Sequence, residues 1–257
     1  MKFKRNGWKK VVTIGCLLVF LFAAYNLVEI AMEYYKNRKS LEDVQETFYA
    51  SAAEKGSANL TDKASDLPIV QEEFKELLEQ NEEVVGWIKI PGTEIDYPVL
   101  QADNNTDYLN KGFNKEYSIA GSIFMDYRNT IDSMKQNTVI YGHRMKDGSM
   151  FDDLIKYKDE DFFEEHKTFE IKTLYDTYEA EIFAVYITTT EFNYIETNFA
   201  SDDEFAKYLT EIREQSMYQT DVEVDEDDQV LTLSTCDYLL DPNEGRMVVQ
   251  AKLVKKN

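Results

Sequence analysis

Val230–Cys236 reads VLTLSTC, and shortly after it Met247–Val254 reads MVVQAKLV. Both runs are of strand length, almost continuously apolar and rich in β-branched residues, the pattern of strands buried on one or both faces. The stretch between them, Asp237–Gly245, fits a loop joining antiparallel neighbours. In such a hairpin Cys236, at the end of one strand, lies beside Arg246, at the start of the next.

Working outward, shorter strand-like runs cover Val84–Ile90, Ile95–Gln101, Ser122–Asp126, Asn137–Tyr141, Thr168–Leu174 and Glu179–Thr188, with a Pro91-Gly92 turn between the first two. Helical patterns interrupt them. Val70, Phe74, Leu77 and Leu78 share one helix face. Phe151–Tyr157 and Glu160–His166 are short. Asp202–Ser216 is better defined: Ser201 and Glu204 form a capping box, and Phe205, Tyr208, Leu209 and Ile212 form its apolar stripe. The 17 tyrosines and 15 phenylalanines favour β-rich packing. The expected fold is mainly β with helices: a closed barrel of about eight strands, an N-terminal helix, and a long helix before the Cys236 strand. No internal repeat is present.

The chain has 257 residues. Val11–Val28, VVTIGCLLVFLFAAYNLV, has no charged residue, and as a helix it spans roughly 27 Å, close to the thickness of a bilayer core. A cleaved signal peptide has a shorter core followed by a small-residue cleavage site; this run continues into Tyr25, Glu29, Tyr34 and Tyr35, which favours an uncleaved anchor. Lys2, Lys4, Arg5, Lys9 and Lys10 precede it, so the N-terminus is expected in the cytoplasm and the rest outside. The expected organisation is a basic tail (1–10), a transmembrane anchor (11–32), a stalk that is helical at first and then flexible (33–66), and a folded domain (67–257).

The formal charge is −21, although the first ten residues are purely basic. A surface this acidic argues against nucleic acid, whose phosphates need clustered Lys and Arg. Two cysteines, Cys16 and Cys236, and two histidines, His143 and His166, give no zinc-binding spacing. The run Asp225–Asp228 lacks the spacing of a calcium loop and reads as a solvated turn. No metal or cofactor is expected.

Outside the anchor Cys236 is the one thiol. A lone cysteine at a strand end is commonly a small buried hydrophobe. Here the strand ends in Ser234, Thr235 and Cys236, where a rigid scaffold meets a loop, a suitable place for a nucleophile. A thiolate needs a base or cation beside it. His143 follows the apolar strand NTVIY and Gly142, and so also sits where a strand meets a loop. His166 lies in the acidic stretch EDFFEEH, where carboxylates favour a surface cation. Arg246 reads either as a strand-end ion-pair partner or as a donor to a developing oxyanion.

YGHR (141–144), TLSTC (232–236) and the arginine of EGRMVV (244–249) resemble the His, Cys and Arg signatures of sortases. NEEVVGWIKIPGTEIDYPVLQ (81–101), GSIFMDYRN (121–129), GHRMKDGSMF (142–151) and the long helix before the cysteine strand resemble class B in particular. The resemblance covers about 67–257; Asp237 stands where it leads one to expect glutamate. It implies a cysteine transpeptidase that cleaves a C-terminal sorting signal after threonine. The acyl group is held as a thioester on Cys236 and passes to an amine of the cell wall or of a pilin. His143 moves the protons and Arg246 steadies the oxyanion. It further implies that Asn105, Leu109, Thr190, Tyr194, Ile195 and Ser234 line the peptide groove, with no metal. A cysteine protease using the same pair, and a non-catalytic envelope binding domain, are the competing readings. The former predicts hydrolysis indifferent to added amine, the latter an inert Cys236.

Overall fold

The structure, a computed structural model, describes residues 5–54, 69–130 and 136–256. Lys2 and Lys4 of the basic tail, and residues 55–68 of the expected stalk and domain start, lie outside the described residues. Eight strands close a barrel: β1 (Val84–Lys89), β2 (Asp96–Leu100), β3 (Ile123–Met125), β4 (Asn137–Tyr141), β5 (Thr168–Thr173), β6 (Thr177–Thr189), β7 (Val230–Cys236) and β8 (Gly245–Lys255). Around the barrel the order is β1-β2-β3-β4-β7-β8-β6-β5, and β5 pairs back onto β1, so no edge is left open. The expected barrel and its strand runs are therefore present. Its interior holds Ile88, Val99, Ile123, Ile140, Leu231, Leu233, Val249 and Ala251, all essentially inaccessible to solvent.

Two pairings were not apparent in the sequence: β2 runs parallel to β3, and β4 parallel to β7. The second decides where chemistry can occur. Parallel neighbours end at the same rim, and Tyr141 pairs with Ser234 there, so the residues after β4 and the end of β7 emerge together. β8 starts at that rim and runs back antiparallel, with Arg246 opposite Cys236 as the hairpin reading requires.

Among the described residues four α-helices accompany the barrel. α2 (Glu72–Gln80) buries Phe74 and Leu77, and the short α3 (Glu160–Glu165) follows a 3-10 segment at Asp152–Lys158. α4 (Asp202–Gln215) buries Phe205, Tyr208, Leu209 and Ile212 against β6, β7 and β8. Ser201 Oγ accepts from the Glu204 N–H at 3.2 Å, while the Glu204 carboxylate reaches back to the Ala200 N–H at 2.7 Å, a capping box shifted by one residue at its second bond. The acidic run forms a turn in which Asp228 pairs with Lys252 at 2.8 Å.

The longest element is α1 (Arg5–Glu54). Its first half exposes Leu18, Val19, Phe20 and Phe22. It is long and apolar enough to cross a membrane. Its last turns are packed on the barrel: Val44 and Phe48 are buried, and the Phe48 ring stacks on Trp87 of β1 at 3.9 Å between centroids. Tyr49 and Gln45 add hydrogen bonds of 2.8 and 2.7 Å to Asp96 at the start of β2.

Candidate active site

At the rim shared by β4, β7 and β8 a cleft of about 270 Å³ opens, apolar in most of its lining. Cys236, His143 and Arg246 all face it, as do Asn105, Leu109, Thr190, Tyr194, Ile195 and Ser234. Phe124, Tyr141, Gly142 and Thr235 complete the lining; apart from Phe124 they adjoin the histidine and cysteine in sequence, a signal that was available. Residues more than a hundred positions apart along the chain thus share one cleft.

Each side chain is placed by its strand. Cys236 is the last residue of β7 and half-buried, free of any disulfide. His143 is two residues past the end of β4. The Gly142 N–H donates to the Ser234 carbonyl at 3.2 Å, which extends the parallel pairing as far as the histidine. Glycine is required at 142 because a Cβ there would lie 2.4 Å from Ile123 Cδ1 and 2.7 Å from Phe151 Cγ, both in the packed core. His143 Nε2 lies 2.7 Å from the Leu109 carbonyl. A carbonyl only accepts, so Nε2 is the nitrogen that bears a proton there and Nδ1 is the one left to exchange one. His166 is elsewhere, stacked on Phe162 at 4.1 Å with Nδ1 against the Phe162 carbonyl.

Arg246 Nη1 donates to the carbonyls of Asn243 and Gly245 at 3.1 and 2.9 Å, which folds the guanidinium over the end of the β7–β8 loop. Gly245 admits no side chain, since a Cβ would sit 2.0 Å from the Asp237 carbonyl oxygen. Tyr194 Oη is 2.9 Å from Ser234 Oγ. Burial pushes the Tyr194 phenol up; hydrogen bonds from Ser234 and Arg246 partly oppose this, and nearby Cys236 adds to it. The tyrosine therefore stays a neutral phenol in the wall of the cleft. Thr190 closes the same side through its N–H, which donates to the Glu244 carbonyl at 3.1 Å.

Asp237, the residue after the cysteine, is buried. Its carboxylate pairs with Lys158 and lies 3.6 Å from Arg144 Nη1. It accordingly ties the β7 end to the 3-10 segment and to the strand end that carries His143. Among the described residues no cluster of three or more His, Cys, Asp or Glu is arranged to hold a metal ion.

A family model described as Sortase domain matches residues 88–254. The chain belongs to the sortase family. A Sortase B of Listeria monocytogenes is 45% identical over 250 residues, covering 96% of this chain and 97% of that protein. A Sortase B of Staphylococcus aureus is 36% identical over 255 residues, 99% of each chain. The solved Staphylococcus aureus sortase B–substrate complex superposes with a TM-score of 0.79 at 37% identity, covering 88% of this sortase and all of that chain. A Bacillus anthracis protein similar to sortase B gives a TM-score of 0.77 at 46% identity, with coverage of 87% and 98%. The class B strings in the sequence agree with these relatives. This sortase is a cysteine transpeptidase of the class B type, and its family function is the anchoring of surface proteins.

Proposed function

We propose that this sortase cleaves a C-terminal sorting signal after threonine, through a thioester on Cys236, and transfers the acyl group to an amine of the cell wall or of a pilin. The observation that carries the reading is the meeting of Cys236, His143 and Arg246 at one cleft, placed there by the parallel β4–β7 pair and the β7–β8 hairpin. Cys236 gives its thiol proton to His143, and the sulfur attacks the threonine carbonyl carbon as thiolate. The oxygen takes up negative charge beside Arg246, and the C–N bond breaks as His143 gives its proton to the departing amine. The incoming amine then attacks the thioester, His143 takes the proton it loses, and the sulfur leaves. Asn105, Leu109, Thr190, Tyr194, Ile195 and Ser234 form the groove that holds the signal in register for attack. A substrate complex is known for the related Staphylococcus aureus sortase B, which supports a peptide of this kind as substrate.

The apolar half of α1 anchors the enzyme as a single pass, with the N-terminus in the cytoplasm and the catalytic domain on the outer face. Mass spectrometry of the full chain with candidate signal peptides tests the chemistry. An acyl adduct on Cys236 that turns into amide product when an amine is added supports transfer. Hydrolysis unaffected by amine supports a plain protease, and an unmodified, unreactive Cys236 supports a binding domain.

A further inference from the structure

Beneath the cleft lies a charge that the chemistry does not use. Asp126, just past β3, has no exposed surface, yet its carboxylate receives five donors. Oδ1 accepts from the Arg128 N–H and Arg128 Nε, each at 2.9 Å. Oδ2 accepts from Arg128 Nη2, Asn105 Nδ2 and the Tyr141 hydroxyl, each at 2.8 Å. Burial opposes the charge, but the hydrogen bonds, led by Arg128, outweigh it and hold the carboxyl below its ordinary value. Arg128 Nη2 spends its second proton on the Ile195 carbonyl, also at 2.8 Å.

One ion pair is thus fastened to three walls of the cleft. Asn105 is fixed at both ends of its amide, because Oδ1 also accepts from the Tyr127 N–H at 3.0 Å. The Asn105 loop, the end of β4 at Tyr141, and the Ile195 loop all hang from the same two side chains. Asn137 extends the suspension by donating to the carbonyls of Tyr194 and Glu196 at 3.2 and 2.8 Å, on either side of the bond from Arg128. Nothing in this set reaches Cys236 or His143 directly.

We propose that Asp126 and Arg128 are positioning residues for the peptide groove, setting the distance between the Asn105 wall and the Ile195 wall and hence the fit of the signal peptide. The inference rests on the peptide-groove reading above. The pair acts on binding and leaves the reactivity of the thiol alone. Arginine is needed because one fork must hold a carboxylate and a carbonyl at once; a lysine ammonium at 128 keeps the charge but does not span both.

The test compares Arg128→Lys and Asp126→Asn with the wild-type full chain. Peptide turnover gives KM and kcat, and the rate of Cys236 alkylation by iodoacetamide reports the thiol independently. The expected result is a KM about tenfold higher in Arg128→Lys, with kcat and alkylation within about twofold, matching the loss of one charged hydrogen bond from the groove wall. KM within twofold of wild type, or a parallel loss of alkylation, overturns the inference. Should a variant fail to fold, amide exchange at Tyr127 in the wild type reads the same linkage: slowing on peptide binding supports it and no change overturns it. Wild-type turnover is the control. Its absence overturns the peptide reading itself and this inference with it, whereas turnover with an unchanged KM in Arg128→Lys overturns only the role of the pair.

Discussion

Replacing Phe48 by alanine tests whether the last turns of α1 are structurally part of the barrel. Phe48 is 2% exposed; its ring stacks on Trp87 at 3.9 Å and meets Phe74 edge-on at 5.4 Å. Truncating a buried phenylalanine costs about 3–5 kcal/mol, including roughly 1 kcal/mol for each good aromatic pair. The site lies between a helix and a barrel and partly collapses when emptied, so the low end, about 3 kcal/mol, is expected. For a chain of this size that lowers the melting temperature by roughly 6–12 °C. Thermal unfolding of the detergent-solubilised full chain, followed by near-UV circular dichroism, gives the number. Limited proteolysis of residues 33–54 shows whether the helix undocks first. Tyr35→Ala is the control: that side chain is 69% exposed on the same helix, and its loss changes stability by less than about 0.5 kcal/mol. A drop below about 2 °C for Phe48→Ala, with proteolysis unchanged, refutes the docking argument.

Arg246→Lys keeps a cation but loses the fork over the β7–β8 loop; turnover falls about a hundredfold while Cys236 alkylation persists, and equal loss of both refutes the assignment. Gly245→Ala forces a Cβ to 2.0 Å from one backbone oxygen and 2.6 Å from another, so the loop must shift. About 2 kcal/mol of stability is lost along with turnover, and a fully stable, active variant contradicts the packing described. Because the Asp126 carboxyl is held below its ordinary value, its contribution to stability is fully present above the unfolded value of about 3.9 and disappears as pH falls through the folded value. Melting curves of wild type and Asp126→Asn should therefore differ most near neutrality and converge in acid; a gap that widens below pH 4 shows the sign to be wrong.

The strands and the barrel were legible because their side chains carry a local period, and the hairpin placed Cys236 beside Arg246 through adjacency alone. His143 was found from its position after an apolar strand. Its place at the same cleft as Cys236 came from the resemblance alone, because parallel pairing of β4 with β7 is a long-range choice that leaves no mark in either strand. The groove residues came from resemblance: Asn105 and Ile195 sit in loops without periodicity, and the side chains that fasten them, Asp126 and Arg128, are twenty-one and sixty-seven residues away in sequence. The segment from 33 onward was read as a stalk from its polarity, and two apolar residues a turn apart, Val44 and Phe48, were too weak a stripe to reveal that part of it packs.

Helix α1 passes from its apolar half to its docked turns without a break. With residues 11–32 in a bilayer, a rise of 1.5 Å per residue sets Phe48 about 24 Å beyond Met32, so the barrel stands at a set height. The helix also fixes azimuth, since each residue turns it by about 100°. Seven residues inserted between Met32 and Val44 lift the cleft by about 10 Å and return it to nearly the same heading, whereas two residues lift it only about 3 Å and swing it to the far side. Were a partner tethered in that same bilayer, it would meet the cleft by lateral diffusion at one bearing, and the length of the helix would decide which tethered partners are reached.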